Sequence, residues 1–203
     1  MKKLLLLATA IAFVVGVSVA SAAPVAGTLT GEVDITGSVA AKCTVITAGT
    51  NPEGQDFGST IALGELAGTG GTLKIALSGT TSGSPAGGVQ NFRVNCTGAG
   101  NAITLKADPI VAATSAPSGY ANTVNFTAEA DYAVVGGSSP VVQSHTSDST
   151  TNSASFPAGV RLANASNNVQ IQVYALATPN AGDILVADPS YLGHVTVTIS
   201  PGA

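Results

Sequence analysis

Few residues in this chain could do covalent or metal chemistry. It has two cysteines, Cys43 and Cys96, and two histidines, His145 and His194. An isolated cysteine pair in an oxidising compartment is most simply one disulfide. Closing a loop of about 50 residues, it would contribute roughly 4 kcal/mol on a chain-entropy account. A metal site or a redox pair calls for close spacing or a neighbouring histidine, and this pair has neither. His145 lies in QSHTSD (143–148), where a Ser/His/Asp trio can be named. Sequence neighbours are not a triad, which needs spatial geometry. The acidic residues are scattered, and DSTTN (148–152) lacks the spacing of a calcium loop. Asp183 and Asp188 read as turn-capping residues. Asn95, Asn125 and Asn164 open N-x-S/T sequons, but the first two fall in predicted strands, which favours coincidence over glycosylation. The expectation is a protein without catalysis, cofactor or metal.

The elements that would hold these residues are strands. Leu73, Ile75 and Leu77 alternate with Lys74, Ala76 and Ser78. Phe92, Val94 and Cys96 alternate with Arg93 and Asn95, and Ile103 and Leu105 with Thr104 and Lys106; Pro109 is expected to end the latter strand. Val124, Phe126, Ala128 and Ala130 alternate with Asn125, Thr127, Glu129 and Asp131. Residues 138–155 are Ser/Thr-rich and are expected to form a loop around Val141 and Val142. Val169, Ile171, Val173 and Ala175 alternate with polar partners. In the last stretch Tyr191, Gly193, Val195, Val197 and Ile199 share one face, and His194 lies on the other, predicted to be exposed. Around eight period-2 stretches separated by turn signals predict an all-β antiparallel sandwich. Helical periodicity does not occur.

The chain opens with Met1, Lys2 and Lys3, an uncharged apolar run, and Ala20-Ser21-Ala22, the pattern of a secretory signal peptide over residues 1–22. The run is short for a membrane span, and no later stretch predicts a transmembrane segment. The net charge is −4 and becomes more negative once Lys2 and Lys3 leave with the signal. That excludes nucleic acid or anionic lipid as the expected partner. Gly, Ala, Val, Thr and Ser dominate, with 9% charged residues and no tryptophan; small and β-branched side chains suit packed sheets and tight turns.

Residues 23–45 carry the longest alternation. Val25, Gly27, Leu29, Gly31, Val33 and Ile35 share one face, followed by Val39, Cys43 and Val45. The run is longer than one ordinary strand, so it divides into two near Gly37-Ser38. This assigns residues 23–37 to an N-terminal extension and residues 38–203 to the domain.

With a signal peptide, GTLTGEVDI (27–35), KCTV (42–45), FRVNC (92–96) and a closing YLGHVTVTI (191–199), the chain resembles pilin subunits of chaperone–usher fimbriae, nearest in layout to the archaic and spore-coat-U-like types. The resemblance implies an incomplete immunoglobulin-like antiparallel β-sandwich lacking its last strand. A periplasmic chaperone, and then the N-terminal donor strand of the next subunit, would fill the gap during assembly at an outer-membrane usher. It implies secretion through the periplasm and a place in a cell-surface fimbrium, as a homopolymer serving adhesion or biofilm. Val25, Gly27, Leu29, Gly31, Val33 and Ile35 would be the donor face, with Gly31 where the groove is shallow. Burying Leu29, Val33 and Ile35 would contribute on the order of 5–9 kcal/mol before entropy. The acceptor groove is expected along Val39 and Val45 and along a late strand carrying Val169, Ile171 and Val173. Residues 101–188 match no motif of the family, and the role of the family's C-terminal tyrosine is not carried over to Tyr191. The other readings are a monomeric secreted sandwich binding a carbohydrate or surface component, against which the low aromatic content counts, and a coat or surface-layer protein.

Overall fold

The computed structural model describes residues 33–46, 58–98, 100–149, 151, 154–155 and 160–202. The chain divides into two units, Met1–Gly37 and Ser38–Ala203. Of the first, residues 33–37 are described: they have no regular secondary structure, and Val33 and Ile35 are 85% and 95% exposed. Residues 1–22, together with Val25, Gly27, Leu29 and Gly31, lie outside the described residues.

The second unit is all-β. Its strands are β1 (Cys43–Val45), β2 (Ala86–Phe92), β3 (Val94–Cys96), β4 (Ala102–Ala112), β5 (Tyr120–Ala121), β6 (Thr123–Tyr132), β7 (Val141–Thr146), β8 (Ala154–Ser155), β9 (Val169–Ala177), β10 (Ile184–Leu185) and β11 (Tyr191–Ser200), with one helical turn, α1 (Ile75–Ser78). A hydrogen-bonded path runs β11–β4–β6–β9–β2, with β7 added to β6 and β8 to β4. Strand β6 belongs to both layers. At its start Thr123 and Val124 pair with Val111 and Ile110 of β4; further on it pairs with β7 on one side and β9 on the other. The sheet thereby curls into an antiparallel sandwich, and apart from the short parallel β5–β10 pair every ladder is antiparallel.

Alternation explains the core. Val124, Phe126, Ala128, Ala130 and Tyr132 put one face of β6 inward, against Ile103, Leu105 and Ala107 of β4 and Val169, Ile171 and Val173 of β9. Each fully buried aliphatic or aromatic side chain of this kind contributes about 1.5–3 kcal/mol. The ribbon β1–β3 places Cys43 opposite Cys96, and their disulfide has an S–S length of 2.08 Å. Buried Asn168 ties this ribbon to the sandwich: it accepts from Val94 N at 2.8 Å and donates to Val94 O at 2.6 Å and Ala163 O at 2.7 Å. An all-β fold closed by a disulfide suits an oxidising, extracytoplasmic compartment. Among the described residues no helix is long and apolar enough to cross a membrane.

Four expectations about elements are corrected. Residues 73–78 do not form a strand. Ile75–Ser78 is a helical turn, with Ile75 exposed and Leu77 turned inward. Pro109 does not end β4, which continues to Ala112. The pairing with β11 shifts there, so that Pro109 and Ile110 together face Gly193. A bulge tolerates a residue that cannot donate to the ladder. The Ser/Thr-rich stretch is not all loop either, since it contains β7 and β8. Its inward positions in β7 are Gln143 and His145, polar residues that hide the period-2 signal. Strand β1 is also shorter than the alternation from Val39 suggests; residues 38–42 are not in a strand and Val39 is 82% exposed.

Candidate functional site

Among the described residues the last strand has one partner and one open side. Over its ten residues β11 pairs with β4, and it ends the path of the sheet. Tyr191, Val195, Val197 and Ile199 point at the core, yet all remain partly exposed, unlike their neighbours Leu105 and Ile103 on β4. On the open side every second backbone N–H and C=O of an edge strand lacks a ladder partner.

Facing that edge is a cleft of about 1390 Å³. One wall is β11 from Tyr191 to Val197, the other is residues 58–67, and the floor is made by Phe92, Ile110, Phe126, Ile171 and Val173. Residues 58–66 are not in a strand; Ile61 and Leu63 are half-buried, Leu66 is buried, and the positions between them are exposed. They pack on β2, where a Cβ at Gly87 would meet Ile61 Cγ2 at 2.6 Å, and Gly87 has φ +66°. Nevertheless, among the described residues, 58–64 make no backbone–backbone hydrogen bond. A second cleft, about 600 Å³, continues past Val197 to Ile199 and Pro201, with Ala41, Cys43, Val45 and Val94 opposite. Thr196 and Val197 line both clefts. The result is a slot along the open side of β11, apolar at its base; among the described residues neither the outer edge of β11 nor residues 58–64 has a backbone partner across it. At roughly 3.3 Å per residue, β11 offers a track of about 30 Å, the length of an inserted strand.

One end of the slot is riveted. Asp188 accepts from Thr114 N (3.0 Å), Thr114 Oγ1 (2.7 Å) and Ser190 N (2.8 Å), and these bonds, the Thr114 hydroxyl first, hold its carboxyl below the ordinary range. Tyr191 OH donates to Val186 O at 2.9 Å; burial first, and then the charge of Asp188, push its pKa up. The turn before β11 is thereby fixed to the end of β4.

Of the residues expected to line the groove, Val45, Ile171 and Val173 lie along these clefts. Val39 is exposed outside them, and Val169, the first residue of β9, is fully buried. The walls that sequence reasoning missed are β11 itself and residues 58–66. Both carried a signal: the unbroken alternation of 191–199, and Ile61 with Leu63 after a turn-rich stretch.

The histidines separate. His194 is exposed on the outer face of β11, opposite Asp108 of β4, which is bridged to Lys106 at 2.7 Å. His145 is buried rather than placed in a loop. Its Nδ1 accepts from Ala107 N at 3.1 Å, so Nε2 carries the proton and donates to Thr151 O at 2.9 Å. Both ring nitrogens serve the main chain, and neither is left for a serine. The imidazole satisfies β4 between its pairings with β8 and β6.

A carboxylate pair lies on the outer face of β6. Glu129 accepts from Gln172 Nε2 at 2.7 Å and Tyr174 OH at 3.0 Å. Burial, then Glu129, push the Asp131 carboxyl up; burial, and then the bond to Glu129, push Tyr174 up to about 12. These contacts rivet β6 to β9. Among the described residues no group of three His, Cys, Asp or Glu could hold a metal ion. No protein-family profile, curated protein or solved structure matches the chain.

Proposed function

We propose that the chain is a structural subunit that polymerises by donating its N-terminal segment, residues 25–35, to the slot beside β11 of another copy. The observation that carries this reading is the open edge of β11, with a partly exposed apolar inner face and a full strand's length of unfilled space beside it. Main-chain hydrogen bonds to such an edge supply affinity, and alternate side chains filling the base supply selectivity. The donor supports it from the other side: Val33 and Ile35 alternate with polar residues and are almost wholly exposed. The resemblance to chaperone–usher pilins supplies the rest of the reading. A periplasmic chaperone occupies the slot until an outer-membrane usher exchanges it for the donor strand, and the product is an extracellular fimbrium that serves adhesion or biofilm formation. The mechanism is non-covalent assembly, with no enzymatic step.

The test compares the mature chain with a form lacking residues 23–37. The full chain gives SDS-resistant ladders and filaments by electron microscopy, and the shortened form gives neither. A full chain that stays monomeric and is unaffected by the deletion refutes the proposal and favours a monomeric binding module.

A further inference from the structure

The slot sets conditions on the strand that enters it. The donor's inner face uses odd positions, so Glu32 and Asp34 belong to its outer face. They are the only charged residues between 25 and 37. The outer face of β11 presents Leu192, His194, Thr196, Thr198 and Ser200, among which His194 is the one titratable group. Opposite-charge pairs placed directly across two strands stabilise a register, and like charges oppose it.

The two directions of insertion differ sharply. With full overlap, a donor parallel to β11 sets Thr28 beside His194 and carries Asp34 to Ser200. An antiparallel donor sets Asp34 beside His194 when residues 28–35 lie against 193–200 and residues 25–27 run past the end of β11. The inner face then pairs Ile35 with Gly193, Val33 with Val195, Gly31 with Val197 and Leu29 with Ile199. Ile35 then lies beside Gly193, the one inner position of β11 without a side chain, and beside Ile110, which fills the place of the missing Cβ, 2.7 Å from its Cγ1. A slip of two residues keeps a carboxylate beside His194, that of Glu32, but sets Ile35 against Tyr191, whose hydroxyl is held by Val186.

The geometry points to His194 as the residue that fixes the direction and register of the incoming strand, by facing the carboxylate of the next copy's Asp34. This rests on the polymerisation reading. The surroundings of His194 leave that side open. Asp108 lies across β4 and is already bridged to Lys106, while Glu65 and Asp188 belong to the cleft below. An acid arriving on the free edge would place the His194 imidazole between two carboxylates across three strands.

The experiment uses the mature full chain carrying Asp34→Cys with His194→Cys, oxidised during assembly and run boiled without reductant. The expected result is a covalent ladder that collapses to monomer on reduction, with no ladder from Asp34→Cys combined with Ser200→Cys. A ladder from the Ser200 pair alone overturns the assignment while leaving strand exchange intact. Filaments without a ladder from either pair overturn it as well. Monomers, with or without an internal crosslink, overturn both the assignment and the polymerisation reading. A charge test complements this: His194→Glu slows assembly, and Asp34→Lys in the same chain restores it. Unchanged assembly by His194→Glu also overturns the assignment. Both positions are exposed in the subunit, so neither change threatens the fold.

Discussion

Replacing Val33 and Ile35 with aspartate separates assembly from folding. Both side chains are almost fully exposed in the subunit, at 85% and 95%. Their substitution therefore removes no intramolecular packing, and surface changes of this kind stay within about 0.5 kcal/mol of neutral. In the assembled state the same two side chains would be taken from water into the apolar base of the slot. At about 1.5–3 kcal/mol for each buried aliphatic side chain, their removal forfeits roughly 3–6 kcal/mol per junction. Placing carboxylates there adds a desolvation penalty of several kcal/mol. A loss of about 4 kcal/mol alone weakens each junction around a thousandfold. Ladder length on unheated SDS gels and filament counts report the junction, and thermal unfolding of the monomeric subunit reports the fold. The variant is expected to melt with the parent and to form no ladder. A lowered subunit melting temperature with ladders intact would refute the reasoning, because it would make residues 33–35 part of the chain's own fold.

Other expectations concern the scaffold that holds the slot. Asn168→Ala leaves the buried N–H and C=O of Val94 without their side-chain partners, and costs about 2–4 kcal/mol in denaturant unfolding. Gly193→Val drives a Cβ to 2.7 Å from Ile110 Cγ1 and 3.0 Å from its main chain, so it destabilises by roughly 1–3 kcal/mol, readable as a lower urea midpoint. Two aspartates give opposite pH dependences. The Asp131 pKa is raised from 3.8 by burial and then by Glu129, so its contribution is present below 3.8 and is lost as pH rises through the folded value. Asp131→Asn should therefore raise stability at neutral pH. The Asp188 pKa is lowered from 3.8 by the Thr114 and Ser190 bonds, so its contribution is present above 3.8 and is lost as pH falls through the folded value. Asp188→Asn should destabilise at neutral pH and make little difference in acid, measured as melting temperature against pH.

The all-β class and the disulfide were legible in the sequence because alternation and an isolated cysteine pair are local signals. β6, β9 and β11 were legible for the same reason. What stayed hidden was set by tertiary partners. Gln143 and His145 occupy inward positions of β7, so a genuine strand lacked its apolar beat. Pro109 sits in β4 because a bulge opposite Gly193 excuses its missing N–H, a condition supplied by β11 more than eighty residues later. Of the five residues expected along a groove, three line the clefts beside β11. The resemblance nominated Val45, Ile171 and Val173, but no local pattern could show that among the described residues β11 ends the sheet or that residues 58–64 stand opposite without a backbone partner. An open edge is a property of pairing, and it is not encoded in any one strand.

The most direct measurement of the central claim is amide hydrogen exchange along β11, in the monomer and in the assembled protein. The amides of β11 that point away from β4 should exchange rapidly in the monomer and become strongly protected on assembly, while those bonded to β4 are protected in both. Protection of both sets already in the monomer, or rapid exchange of the outward set in the filament, would contradict strand insertion beside β11.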